Sequence, residues 1–409
     1  MDSILIVGII IFTGFIFGEI AIKFRIPKVT GYILAGIFLN PGLFKIVPED
    51  FVDHTGLITN LSLSLITFSV GGVLLYSRIK KQGKAIIYIT IFEAQAAFIA
   101  VAAGFMIVAP FFLHLPGSTW LTTIVPVSLL IAALASPTDP SATLAVAHEY
   151  KAKGAVSSTI MGAAAFDDAL GIINYSLATI IAGTLISHEV FSVYSSLIKP
   201  LIVIGGAVFC GISFGILFNK ISSSIRKQTE GVLIVLIAAF LSLCFGVAAI
   251  LGFDELLATM TMGIVVVNFN DNSSRIFAML ERYTEELVFV LFFTLSGMHL
   301  NFRVLMGSLA LVLLFVFFRV VGKIVGTGIG AALSQAPSVV KKYTAWGLIP
   351  QGGIVIGLAL MMKQDHSFDA ISDIIISVTI GASVIHELIG PLLAKMALEK
   401  AGEIKKGEY

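Results

Sequence analysis

The chain has 409 residues, of which 57% are hydrophobic and only 12% charged, with a mean hydropathy of +1.00. Soluble globular chains carry roughly 25% charged residues, so the composition excludes a soluble domain and indicates a polytopic membrane protein. The net charge of +1 is spread over short loops with no basic patch, which gives no basis for binding nucleic acid.

Met1-Asp2-Ser3 lacks the basic start of a secretory signal, so the first apolar run is expected to stay as a helix. Runs of about 20 apolar residues suit a bilayer crossing. Thirteen such spans are expected, near residues 3–22, 29–47, 56–77, 85–112, 119–147, 155–186, 197–218, 231–251, 254–268, 284–300, 304–333, 342–362 and 370–395. Placing the N-terminus outside puts 20 of the 26 Lys and Arg residues in inside loops or the C-terminal stretch, as the positive-inside rule requires. Lys45, Lys199, Arg303 and Lys363 then lie outside, while Arg319 and Lys323 lie within a span. The C-terminus is expected on the cytoplasmic side, most naturally of the plasma membrane. Cys210 and Cys244 each sit in an apolar run, where a thiol behaves as a small hydrophobe, and no disulfide or metal site is expected from them.

An odd number of spans permits two units of opposite orientation, the inverted repeat of many secondary transporters. The expected division of the single transmembrane unit 1–409 is a first repeat (1–186), a linker helix (187–230), a second repeat (231–396) and a short cytoplasmic tail (397–409). Matching positions support it. Span 5 is interrupted at Ser136-Pro-Thr-Asp-Pro140 and span 12 at Ile349-Pro-Gln-Gly-Gly353, while span 6 carries Asp167-Asp168 and span 13 carries His386-Glu387.

Two prolines three residues apart break a helix, and in lipid the freed carbonyls are tolerated only against protein or a water-filled cavity. Those carbonyls, Thr138 and Asp139 form a set of oxygen ligands suited to a small hard cation; Asp139 also suits the cap of the second half-helix. Asp167 and Asp168 are costly to bury as ions, and such residues commonly line an ion or proton path. Neighbours on a helix point about 100° apart, so one can face a cavity and the other a partner. Burial and a neighbouring like charge disfavour two ionised carboxylates together. A site that takes a proton or a cation, but not both, is the minimal machinery of exchange.

Arg319 and Lys323, four residues apart, share a helix face and are expected to support the charge of these acids, with snorkelling as the alternative for Lys323. Glu93 is expected either to line the path or to be a hydrogen-bonded structural acid. His386 and Glu387 suit a packing, salt-bridge or sensing role, and Glu19 an interfacial pair with Lys23. Gly322, Gly326, Gly328 and Gly330 are expected to let helices approach closely. No nucleotide-binding loop, metal-ligand cluster or nucleophile constellation is present in the sequence, which disfavours a pump or an enzyme and leaves no cofactor to expect.

Seven segments in order resemble the monovalent cation/proton antiporters. They are Arg25 to Gly42, Ser136-Pro-Thr-Asp-Pro140, Ala163-Ala-Ala-Phe-Asp-Asp-Ala-Leu-Gly171, Phe293-Thr-Leu-Ser-Gly-Met298, Arg319-Val-Val-Gly-Lys323, Gly347 to Gly353 and Glu387-Leu-Ile-Gly-Pro391. The resemblance implies an all-α membrane protein with two crossed broken helices in a moving core domain, and a homodimer in the lipid bilayer. It implies Asp168 as the shared carrier of cation and proton, with Asp167 its partner and Thr138 and Asp139 contributing at the crossing. The exchanged ions would be Na⁺, or Li⁺ or K⁺, and H⁺. A Thr-Asp-Pro break is typical of the electroneutral branch and Asp-Asp of the electrogenic one. The electrogenic branch commonly has a Lys in span 10, which here has none, so Arg319 is expected to answer for the charge of Asp167. A Kef-like potassium/proton antiporter and a bile-acid type sodium symporter remain as alternatives.

Overall fold

The computed structural model describes residues 3–44, 46–112, 119–187, 198–225, 229–283, 285–299, 308–352, 355, 358–359, 362 and 366–404. Among them the regular elements are helical throughout. The expected features at Gly353, Lys45, Arg303, Lys363, Arg226, Lys227, Lys405 and Lys406 fall outside the described residues.

The first half comprises α1 (Ser3–Lys23), α2 (Lys28–Leu39), the short α3 (Glu49–Asp53), α4 (Gly56–Val73), α5 (Tyr76–Val108), α6 (Val125–Ala133), α7 (Pro140–Glu149) and α8 (Ala155–Ser187). There follow α9 (Lys199–Ser224), α10 (Glu230–Leu251), α11 (Glu255–Phe269), α12 (Ser273–Tyr283), α13 (Glu285–His299), α14 (Leu309–Leu333), α15 (Ser338–Gly347) and α16 (Asp369–Lys400). Among the described residues, eight helices are long and apolar enough to cross a membrane and four shorter ones are apolar. Helices satisfy their own backbone groups, which lipid cannot do. Large apolar side chains such as Phe12, Ile99, Ile107, Phe209, Val235, Ile250 and Phe317 point outward, the reverse of a soluble surface. The protein is an all-helical integral membrane protein.

Close crossings fix how these helices meet. On α14, a Cβ at Gly322, Gly326 or Gly330 would strike the α5 backbone at Ala96 and Ala97, Phe92 and Glu93, or Tyr88 and Ile89. These three residues recur every four positions and form one strip, which lets α14 lie against α5 and carries Lys323 to Glu93. Gly328 faces open space instead, because it lies half a turn from that strip. Gly36 of α2 and Gly297 of α13 likewise meet backbone to backbone.

Both expected interruptions are present, and they touch. The first parts α6 from α7 over residues 134–139 and the second follows α15 at Leu348. Asp139 N–H donates to Pro350 O at 3.0 Å, Thr143 Oγ1 to Gly347 O at 2.9 Å and Gln351 Nε2 to Leu134 O at 2.6 Å. Each break thus satisfies backbone groups freed by the other.

At the end of the molecule where α16 finishes, the chain closes on itself. α16 runs on to Lys400, so residues 397–400 of the expected tail are helical. Beyond it the Glu403 carboxylate accepts the N–H groups of Val156 (2.6 Å) and Ser157 (2.9 Å). A carboxylate there satisfies orphan donors at the start of α8 and complements the helix dipole. Lys28 Nζ lies 3.5 Å from Glu19 and 2.6 Å from Glu286. The expected Glu19–Lys23 pair is therefore replaced by Glu19–Lys28, because the start of α2 folds back against α1.

Candidate ion-binding site

The crossing of the two breaks, the middle of α8 and one turn of α14 bring most of the expected residues together. Asp139 caps α7, as its position before Pro140 suggests: Oδ1 accepts the Ser141 N–H at 2.8 Å and also the Ser141 hydroxyl. A Cβ at Gly352 would collide with Asp139 Oδ2, so glycine at this point of the second break lets the carboxylate sit against it. Thr138 Oγ1 donates to Leu348 O at 3.3 Å and accepts from Lys323 Nζ at 2.7 Å.

The two cations of α14 are fully buried and divide the work. Arg319 donates from Nε to Ala135 O (3.0 Å), from Nη1 to Ile349 O (2.6 Å) and from Nη2 to Pro137 O (2.8 Å). One guanidinium thereby gathers carbonyls from both breaks, a use of its planar fork that Lys cannot copy. Lys323 Nζ donates to Ser136 O (2.6 Å), Thr138 Oγ1 (2.7 Å) and Asp167 Oδ2 (3.3 Å), and lies 2.6 Å from Glu93 Oε2. The expectation that Arg319 meets the charge of Asp167 is corrected: Lys323 does so, because the carbonyls freed by the two breaks occupy the guanidinium.

Adjacent on α8, Asp167 and Asp168 point to different surroundings. Asp167 turns inward to Lys323 and is fully buried. Asp168 borders a cavity of about 40 Å³ shared with Thr138, Asp139, Ser141, Thr67 and Gly352. A cavity of only about 10–15 Å³ holds one water, so there is room here for water or for a small cation. Among the described residues no group donates a hydrogen bond to Asp168 Oδ1, which is buried.

His386 and Glu387 lie apart from this cavity. His386 Nδ1 is 2.9 Å from Gln351 Oε1, and Glu387 Oε2 accepts from Ser296 Oγ of α13 at 2.7 Å. His386 thus braces the second break, and Glu387 joins α16 to α13.

Sequence reasoning did not single out Ser141, Thr67 or the chain from Gln95 to Asn174 to Ser136. Gln95 Nε2 donates to Asn174 Oδ1 (3.0 Å), Asn174 Nδ2 to Ser136 Oγ (2.9 Å) and Ser136 Oγ to Ala94 O (3.2 Å). Polar residues at mid-span were the available signal, and Ser141 adjoins a quoted motif.

A sodium/hydrogen exchanger transmembrane family model matches residues 7–400. The Na⁺/H⁺ antiporter ApNhaP of Aphanothece halophytica is 24% identical over 294 residues, which are 68% of this chain and 54% of that one. This chain therefore spans about half the length of that relative. The probable Na⁺/H⁺ antiporter GerT of Bacillus cereus is 21% identical over 87% of this chain and 90% of its own. The structure of the sodium proton antiporter MjNhaP1 from Methanocaldococcus jannaschii at pH 8 superposes with a TM-score of 0.71 at 21% identity, covering 97% of this chain and 98% of that one. That likeness gives the fold, and the match of the family model along nearly the whole chain gives the kinship: the protein belongs to the transmembrane sodium/hydrogen exchanger family.

Proposed function

We propose that the protein exchanges a monovalent cation, Na⁺ ahead of Li⁺ or K⁺, for protons by alternating access, with Asp168 as the carrier. The observation that carries this reading is the setting of Asp168. Asp168 borders a small cavity at the crossing of both breaks and its buried Oδ1 takes no hydrogen bond from the described residues, whereas Asp167 beside it is held by Lys323. A carboxylate in such a place satisfies itself by binding a cation or a proton, and the two exclude each other. Thr138 and Asp139 shape the remaining wall, and Arg319 and Lys323 hold the crossing together.

The reading includes thirteen crossings in an inverted repeat, N-terminus outside and C-terminus cytoplasmic, in a plasma-membrane homodimer. Its support is the pairing of the two breaks and the inside excess of Lys and Arg.

Reconstituted in liposomes with a pH-sensitive dye, the protein is expected to dissipate an imposed proton gradient when Na⁺ is added. The reading fails if neither Na⁺, Li⁺ nor K⁺ elicits a response between about pH 6 and pH 9, the range over which a perturbed carboxyl can titrate. A response to K⁺ alone would transfer it to potassium/proton exchange.

A further inference from the structure

The first break carries Thr138 and Asp139 and α8 carries Asp168, so the cavity between them depends on how the break lies against α8. Three contacts set that alignment. Lys323 Nζ joins Thr138 Oγ1 (2.7 Å) to Asp167 Oδ2 (3.3 Å). One turn on, Gly171 lies against the Pro137 ring, which a Cβ there would strike. Asn174 Nδ2 donates to Ser136 Oγ at 2.9 Å. Residues 167, 171 and 174 share one face of α8, since steps of four and three return to the same side of a helix. Along that face the break runs backwards, Thr138, Pro137 and Ser136 in turn, and helix and break are held in register.

The three contacts differ in kind. Lys323 is a point charge on a flexible stem and Gly171 offers only packing, whereas the link to Ser136 is directional. Ser136 has one hydroxyl proton, which goes to Ala94 O of α5 at 3.2 Å. Its partner at 2.9 Å must then donate, which turns the amide nitrogen of Asn174 to the break and leaves Oδ1 to accept from Gln95 Nε2 at 3.0 Å. The chain of hydrogen bonds therefore runs one way, from α5 through α8 to the break and back to α5. Ser136 and Asn174 are both buried. On its other side the break is fastened to α14 and to the second break: Arg319 takes the carbonyls of Ala135 and Pro137, Lys323 that of Ser136, and Gln351 that of Leu134. Its placement along α8 falls to Gly171 and Asn174.

We propose that Asn174, oriented by Gln95 and acting through Ser136, is a positioning residue that sets the span between Asp168 and the Thr138–Asp139 wall, and with it the size of cation the cavity accepts. Asn174 stands about two helical turns beyond Asp167 and is not among the residues that border the cavity. It acts on the cation only through the break. The proposal deepens the reading of Asp168 as carrier and rests on it.

Exchange in liposomes, driven in turn by Li⁺, Na⁺ and K⁺, tests the register. Ser136→Ala and Asn174→Leu each delete the link and release the break from α8, which widens the cavity. Each should raise the apparent KM for Li⁺ and Na⁺ about three- to tenfold, the worth of one buried hydrogen bond, and that for K⁺ less. The double variant should be no worse than the poorer single one, because both substitutions remove the same bond. Ser128→Ala deletes another buried serine hydroxyl, which donates to Ile124 O at 2.7 Å within α6, and should keep the wild-type KM ratios. A purely structural role for Asn174 would lower the melting temperature and the maximal rate and leave the KM ratios of the three cations unchanged. That result overturns the proposal, as does an additive double variant. If Asn174→Leu does not fold, Ser136→Ala, which only removes an oxygen, decides by the same ratios. A wild type that responds to no cation defeats the exchange reading, whereas a wild type that exchanges while the variants keep its cation ratios defeats the register alone.

Discussion

Arg319 and Lys323 stand one helical turn apart on α14 and address different acceptors, Arg319 three backbone carbonyls of the two breaks and Lys323 a carbonyl, a hydroxyl and two carboxyls. The broken helices are therefore held by a side chain, and the acids by its neighbour. Hydrogen bonds to charged groups contribute about 1.5–3 kcal/mol each. Arg319→Met, which leaves Ala135, Pro137 and Ile349 carbonyls without that donor, is expected to lower thermal stability in detergent markedly. Arg319→Lys should fall between, since an ammonium lacks the fork. Equal melting of all three would show that the carbonyls find other donors.

Asp168→Asn should abolish cation-dependent proton flux while leaving the melting temperature close to wild type, because the residue borders a cavity and takes no donor at Oδ1. Asp167→Asn changes a residue in the Lys323 network and should retain part of the flux. The comparison of initial rates in liposomes decides it: a fully active Asp168→Asn removes that residue from the carrier role.

The proposed competition at Asp168 carries a pH dependence with a definite sign. If the proton and the cation bind the same carboxylate, lowering the pH raises the proton's share and weakens the apparent cation affinity. On the acid side of the carrier's titration the apparent KM for Na⁺ should rise about tenfold per pH unit, the slope of one proton per cation. A KM that is flat with pH would mean that the two ions occupy different groups.

Gly326 and Gly328 offer a matched pair two residues apart. A side chain at Gly326 would strike the α5 backbone at Phe92 and Glu93, whereas Gly328 faces open space. Gly326→Ala is expected to cost about 1–3 kcal/mol by overpacking and to slow exchange by moving Lys323 away from Glu93. Gly328→Ala should be neutral or gain up to about 1 kcal/mol from helix propensity. Thermal melting of the two variants beside wild type gives the answer, and equal losses would contradict the one-sided contact.

Much of the site was legible because lipid makes polar exceptions conspicuous. Pro137, Pro140 and Pro350 mark the two breaks, and Asp139, Asp167 and Asp168 stand out in apolar runs. What sequence did not convey was the choice of partner. Arg319 was matched to an acid because acids are visible as letters, whereas the carbonyls of Ala135, Pro137 and Ile349 belong to the backbone and leave no trace in residue type. Helix phase explains another difference: Gly322, Gly326 and Gly330 recur every four residues and share a face, which separates them from Gly328. Glu403 falls within the expected tail 397–409, and nothing local to it in the sequence points to α8.

That last contact bears on how the molecule is made. The donors at Val156 and Ser157 wait for a carboxylate that lies 247 and 246 residues later in the chain. Synthesis proceeds from the N-terminus, so α8, the helix that holds both acids, is made before the carboxylate that caps its first turn. It receives its final hydrogen bonds only after α16 has been laid down. The start of the helix that holds both acids is thus completed by the far end of the chain.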